Sequence, residues 1–238
     1  MNPNLAILPW LVVLACLIIH KPFHQATNSP PTVRIALPED GAVIKMNSSL
    51  RYLVTVSDQE DGSSEYGEIQ PSEVHLELSC WPGLKEANDY RNSLYNHKED
   101  PAGLPLIKRS GCFNCHQDKS KLMGPSFEQI AGRYASNPDN IRHLADNIIH
   151  GTTGNWGDTP MPPNPELSHD EVLQAVAYMI KQGRNQNSCV YSGYEGLIRP
   201  IVPPNDTCVY VLAAFYTDKG RHQMPGTSVR GQHSILLE

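Results

Sequence analysis

Residues 112–116 read Cys-Phe-Asn-Cys-His. Two thiols this close can add across the two vinyl groups of one haem, and the histidine that follows is then held beneath the iron as an axial ligand. Other uses of a cysteine pair fit less well. A redox C-x-x-C does not need the histidine, and a zinc site needs a second ligand pair at similar spacing, which the chain lacks. Cys112, Cys115 and His116 are thus the candidate attachment and ligand residues for one covalent haem c.

A six-coordinate haem needs a second axial ligand. Met161 stands in Thr159-Pro160-Met161-Pro162-Pro163, where flanking prolines stiffen the chain and remove competing donors. Taken alone, Met161 could equally be a gap filler packed under a loop. Met123 is nearer in sequence, and His143, His150 or His169 could supply a second imidazole, though their helical positions favour exposure or capping.

The elements around these residues can be read from periodicity. Val33, Ile35 and Leu37, then Tyr52, Val54 and Val56, then Val74, Leu76 and Leu78 alternate with residues of the opposite face, the pattern of short antiparallel strands. Glu39-Asp40-Gly41 and Glu60-Asp61-Gly62 read as turns. Asp58, Glu60 and Asp61 could instead gather calcium, although no full ligand loop is present. From about Tyr90 to Gly183 the pattern is helical. Ser126-Phe127-Glu128-Gln129 and Ser168-His169-Asp170-Glu171 have the form of capping boxes, Asn137-Pro138 opens another helix and Gly151 ends it. A Gly/Pro-rich loop is expected from Gly151 to Pro165. After Gly183 strands return, with alternation at Val209–Ala214, a turn at Asp218-Lys219-Gly220 and a last strand within Ser228–Leu237. The economical arrangement is one β-sandwich interrupted by a helical insertion, against a rival with two independent β appendages.

The chain has 238 residues and a formal net charge of -6, too acidic for a nucleic-acid surface. Residues 5–19 are apolar, short for a membrane span and suited to an export signal. A cleaved signal, a lipid on Cys16 and an uncleaved anchor all remain open. Of the other cysteines, Cys189 and Cys208 bracket a Pro/Gly-rich loop, which favours that pair and leaves Cys80 free. Pairing of Cys80 with either one stays open too. Lys108, Arg109, Lys119 and Lys121 flank the haem motif and could steer an acidic partner, or be plain solvated surface.

Gly111-Cys112-x-x-Cys115-His116, Met123-Gly124-Pro125, Gly154-Asn155-Trp156-Gly157 and Pro160-Met161-Pro162-Pro163 follow one another in the order and rough spacing of a known family. Residues 102–184 resemble a small class I cytochrome c of the bacterial monohaem respiratory type. The resemblance implies thioethers at Cys112 and Cys115, proximal His116 and distal Met161. It also implies a Pro125 carbonyl accepting from the His116 ring, and Trp156 leaning on the haem, with core packing as the plainer role for Trp156. A looser resemblance, carried by Tyr52-x-Val54-x-Val56-x-Asp58-x-Glu60-Asp61-Gly62 and Tyr216-Thr217-Asp218-Lys219-Gly220, is to polycystic-kidney-disease-like (immunoglobulin-like) modules.

The expected fold is α+β multidomain: an all-α cytochrome c domain inserted in, or flanked by, an immunoglobulin-like β-sandwich. Its expected units are a signal or anchor at 1–26, a first β part at 30–90, the cytochrome at 92–185 and the last strands at 186–238. The expected function is electron transfer rather than catalysis, as acceptor or cytochrome subunit of a periplasmic dehydrogenase, delivering to a cytochrome or oxidase. The alternatives are a haem enzyme or gas sensor with a labile Met161, and a glycan- or partner-binding β module with an auxiliary haem.

Overall fold

The computed structural model describes residues 28–45, 48–97, 99–201, 208–220 and 227–238. The export segment and Cys16 lie outside the described residues. Strands β1 (Thr32–Leu37), β2 (Leu50–Asp58), β3 (Gly62–Ser63) and β4 (Val74–Trp81) come first. Helices α1 (Leu84–Leu94), α2 (Leu104–Arg109), α3 (Phe127–Arg133), α4 (Pro138–His150) and α5 (His169–Arg184) follow, with β5 (Thr152–Gly154) and β6 (Gly157–Met161) between the last two. Strands β7 (Ser188–Ser192), β8 (Glu195–Ile198), β9 (Val209–Thr217) and β10 (Arg230–Leu237) close the chain.

Strands from both ends of the chain share both large sheets. One sheet gathers β1, β3 and β8 around β2; the other has the order β10-β9-β4-β7. The alternating residues meet between them: Val33, Ile35, Tyr52, Val54 and Val56 from one face, Val74, Leu76, Leu78, Leu212, Tyr216 and Ile235 from the other. The two β segments are therefore not independent appendages. Strand β9 is buried on both faces because Ala213 and Phe215 turn away from this core and pack under Tyr90 and Leu94 of α1. A separate apolar cluster, with Leu104, Ile107, Phe127, Val172, Val176 and Ile180 at its centre, holds the helices together.

Several local expectations need correction. Cys80 bonds to Cys208, not Cys189 to Cys208, and Cys189 is the free one. The reason is strand order: β7 and β9 flank β4 on opposite edges. Two strand spacings, about 9.6 Å, separate Cys189 from the β9 side, beyond the reach of a disulfide. The supposed loop after Cys189 holds two strands, and α1 begins before Tyr90. The second capping box does not form: Ser168 caps α5 without a side-chain bond, because Glu171 is drawn 2.5 Å from Arg109. Asp58 and Asp61 act as turn acceptors. Asp58 takes the amides of Glu60 and Asp61, and Asp61 takes Tyr216 Oη–H and the Lys219 amide.

The polar face of β4 is not solvated. Asp100, in the chain leading to α2, is almost fully buried and collects Lys108 Nζ of α2 at 2.9 Å, Arg230 Nε of β10 at 3.5 Å and His75 Nε2 of β4 at 3.9 Å. The Arg230 guanidinium lies 3.9 Å over the Phe215 ring and donates to the carbonyls of His97 and Glu99. A second clamp forms at the C-terminal end of α5. Asp118 accepts from Gln182 Nε2 (2.7 Å) and from the Val190 amide of β7 (2.8 Å). Removing one partner from such a buried group leaves an uncompensated charge, so each clamp fixes helices to sheet.

Burial, together with the neighbouring Lys108 and Arg230, pushes His75 down to about 3 against the pull of Asp100. Burial disfavours ionised Asp100 as well, but His75, Lys108 and Arg230 outweigh it and hold the carboxyl below its usual range. His75 is thus neutral when folded and takes up a proton when unfolded below its ordinary 6.5. Its contribution is complete above pH 6.5 and is lost as pH falls toward 3, by up to about 1.4 kcal/mol per pH unit. His75→Phe, which keeps the stack on Phe215, is expected to flatten this part of the stability profile. Denaturant melts at pH 7, 5.5 and 4 check it; parallel slopes for variant and wild type would contradict it.

Candidate functional site

Helix α2 ends at Ser110, Gly111 turns the chain with φ 66°, and a tight turn spans Cys112–Asn114. The His116 amide donates to the Cys112 carbonyl at 2.9 Å. The return leg is fastened by Gly124 N to Cys115 O (2.9 Å), Phe127 N to Gln117 O (3.0 Å) and Glu128 N to Asp118 O (3.0 Å). These bonds close residues 116–126 into a loop that seats the first turn of α3. The Ser126 side chain and Gln129 cap that helix reciprocally.

His116 Nδ1 lies 2.7 Å from the Pro125 carbonyl oxygen. A carbonyl only accepts, so Nδ1 carries the proton and Nε2 keeps its lone pair for a metal ion or a hydrogen-bond donor. The ring stands against bare backbone at Gly124: a Cβ there would sit 2.4 Å from His116 Cε1. Cys112 and Cys115 are outside any disulfide. Burial pushes the Cys112 thiol up to about 11.

The expected loop at 151–165 is a short hairpin. Met161 ends β6 opposite Thr152 of β5 and is half-buried. It is held by Gly151, which the sequence marks only as a helix stop, and by residues the sequence does not mark at all. Gly151, at φ 75°, ends α4 so closely under the strand that a Cβ would come 2.9 Å from the Met161 carbonyl. Asn164 donates its amide and its side chain to the carbonyls that end α4. Trp156 lies at the hairpin tip with the Arg133 guanidinium 4.8 Å over its ring, and Arg133 also donates to the Asn155 carbonyl. A lone arginine at the end of α3 gives no sequence signal for this role.

The rival ligands are elsewhere. His143, His150 and His169 are exposed on α4 and α5, and Met123 is 60 % exposed beside the similarly open Leu122. The four flanking cations are mostly spoken for. Lys108 is buried against Asp100, Arg109 pairs with Glu171, and Lys119 donates to the Asn185 carbonyl at 2.5 Å. Of the four, Lys121 alone is exposed with no ion pair among the described residues.

A family model described as "Cytochrome c" matches residues 102–182. The chain belongs, through these residues, to the cytochrome c family. It is 42 % identical over 78 residues to cytochrome c-551 of Pseudomonas denitrificans, 33 % of this chain and 94 % of that protein. It is 43 % identical over 79 residues to cytochrome c-552 of Hydrogenobacter thermophilus, 33 % of this chain and 80 % of that one. Among solved structures, wild-type Nitrosomonas europaea cytochrome c552 aligns at 35 % identity over 33 % of this chain and 96 % of that chain, with a TM-score of 0.31.

The family implies covalently bound haem c, and the residues present fit it. Two unpaired cysteines precede a histidine whose Nδ1 is already engaged. Gly124 leaves that imidazole room to stand upright.

Proposed function

We propose that the chain is an exported electron carrier holding one haem c through thioethers at Cys112 and Cys115, with His116 and Met161 as axial ligands. The His116–Pro125 hydrogen bond beside Gly124 is the observation that carries this reading. When bound, the haem supplies a one-electron couple. His116 offers Nε2, and the bond from its Nδ1–H to Pro125 fixes the tautomer and the ring plane and raises ligand basicity. Met161 would supply a thioether as the second ligand, which would raise the reduction potential relative to a second histidine and leave no site for substrate. Trp156, with Arg133 above it, covers the hairpin side and excludes water. Leu122 and Met123 offer an apolar patch next to His116 through which a partner can approach.

The β part is read as an immunoglobulin-like module, supported by its two sheets sharing one core. Export is supported by the apolar residues 5–19 and by the Cys80–Cys208 disulfide, which needs an oxidising compartment. Among the described residues no helix is long and apolar enough to cross a membrane, so any tether falls to the N-terminal segment. A periplasmic dehydrogenase is the proposed donor, and a cytochrome or oxidase the acceptor.

The test is acid–acetone extraction of the matured full-length protein. The colour should stay with the protein, and Cys112→Ala with Cys115→Ala should abolish retention. Loss of all colour from the wild type would overturn the assignment. A finer test is Gly124→Ala. The added methyl must displace His116 and weaken its bond to Pro125, so the midpoint potential should rise while thioether attachment is unchanged. An unaltered potential would mean that the imidazole is not held this way.

A further inference from the structure

We propose that the cleft between the haem loop and the β7–β8 hairpin is a docking site for an acidic segment of the electron-transfer partner, so that the β part helps to choose that partner. The inference rests on the electron-carrier reading above. The cleft encloses about 1020 Å³. One wall is the haem loop, with Phe113, Lys119 and Lys121. The other is built by the β part, with Tyr191, Leu197 and Arg199. Phe113 stands between the two haem cysteines, so whatever occupies the cleft touches the loop that holds the haem.

The occupant follows from charge. Lys121 and Arg199 have no ion pair among the described residues; Arg199 Nε donates to Ser49 Oγ and its backbone amide to Tyr191 Oη. Lys119 reaches backbone carbonyls and stands 3.8 Å from Asp118. Of the carboxylates lining the cleft, Glu195 is engaged by Arg51 at 3.3 Å, and Asp118 is buried and bonded to Gln182 and Val190. Among the described residues, Glu128 is the one carboxylate of the three without an ion pair. With Arg51 counted against Glu195, the cleft carries one more positive than negative charge, and the unpaired cations lie around an apolar contact: Leu197 is 58 % exposed on β8, an edge strand paired only with β2 among the described residues. Exposed cations without ion partners around an exposed leucine suit a segment with carboxylates flanking an aliphatic side chain.

The geometry of the cleft is set by the two clamps. Asp118 ties the haem loop directly to the β7 backbone, and Asp100 ties α2 to β4 and β10. The two walls therefore present one fixed surface rather than two parts that move independently.

The experiment uses the full-length, haem-loaded protein and a synthetic ten-residue peptide alternating Glu or Asp with Leu, with a Lys/Leu peptide as control. In an amide NMR titration the acidic peptide is expected to shift resonances in 113–121 and 189–201, with affinity falling as salt rises. Arg199→Glu and Lys121→Glu should each weaken it on the order of tenfold, and Leu197→Asp likewise. Lys85→Glu, on α1 and outside the lining of the cleft, should change nothing. Shifts centred elsewhere, equal binding of the basic peptide, or indifference to Arg199→Glu would overturn the proposal. Oxidation of the reduced protein by ferricyanide reads the carrier assignment separately. Electron exchange without peptide binding in the cleft ends the docking proposal alone, whereas no exchange ends the carrier reading.

Discussion

Met161→Ala is expected to produce a protein whose reduced form binds carbon monoxide within the mixing time, while the wild type at neutral pH does not. The argument starts from the hairpin. Met161 ends β6, pinned opposite Thr152 and against Gly151, so its side chain has a fixed origin. Alanine at this position keeps the strand pairing and removes only the thioether. No nearby residue replaces it, because Met123 and the three histidines of α4 and α5 are turned to solvent. The reduction potential should fall, since a soft sulfur stabilises the reduced iron. Stopped-flow mixing with carbon monoxide, together with the visible spectrum, checks both. Unchanged axial spectra in the variant would mean that another residue holds that position. Rapid binding by the wild type would favour the sensor reading.

Gly183→Ala is expected to destabilise the helical part by about 3 kcal/mol. Helix α5 crosses α3 with its backbone at Gly183 in contact with the start of α3. A Cβ at 183 would lie 2.1 Å from the Phe127 carbonyl oxygen and 2.9 Å from the Ala131 Cβ. Both obstacles are backbone or rigid, so α3 as a whole must move. Phe127 is fully buried and its amide fastens the haem loop through Gln117, so the displacement reaches the site. The melting temperature should drop by ~10 °C. Gly132→Ala is the control of opposite sign: it lies in α3 with nothing within 4 Å of a Cβ. Higher helix propensity should leave that variant as stable as wild type, or more stable by about 0.5–1 kcal/mol. Equal melting of the two variants would mean that the α3–α5 approach is not this close.

Membership of the cytochrome c family was legible because its motif is local. Cys112, Cys115 and His116 lie within five residues, and their chemistry needs no tertiary knowledge. Strands β1, β2 and β4 showed in their alternation, and Ser126 and Asn137 announced their helices because capping is local. Legibility failed where partners come from distant segments. The disulfide depends on which edge of β4 each later strand takes, and no local pattern encodes that. His75, Glu77 and Ser79 look like a solvated face, yet α1 and the helical part cover them and convert them into buried contacts. Lys108 looks like a docking charge beside the haem motif, but Asp100 buries it. Arg133 and Asn164 serve the site only through the fold.

Strand β9 pairs with β4 on one side and β10 on the other, and it follows the whole helical segment in the chain. The middle of that sheet is consequently empty until the haem-bearing residues have all been synthesised. The helical segment emerges complete while its scaffold is still half-made, with the Cys112–His116 face not yet hemmed in by β7. A chain terminated before Val209 would lose β9 and β10, half of that sheet, and with them Arg230, one of the cations gathered on Asp100.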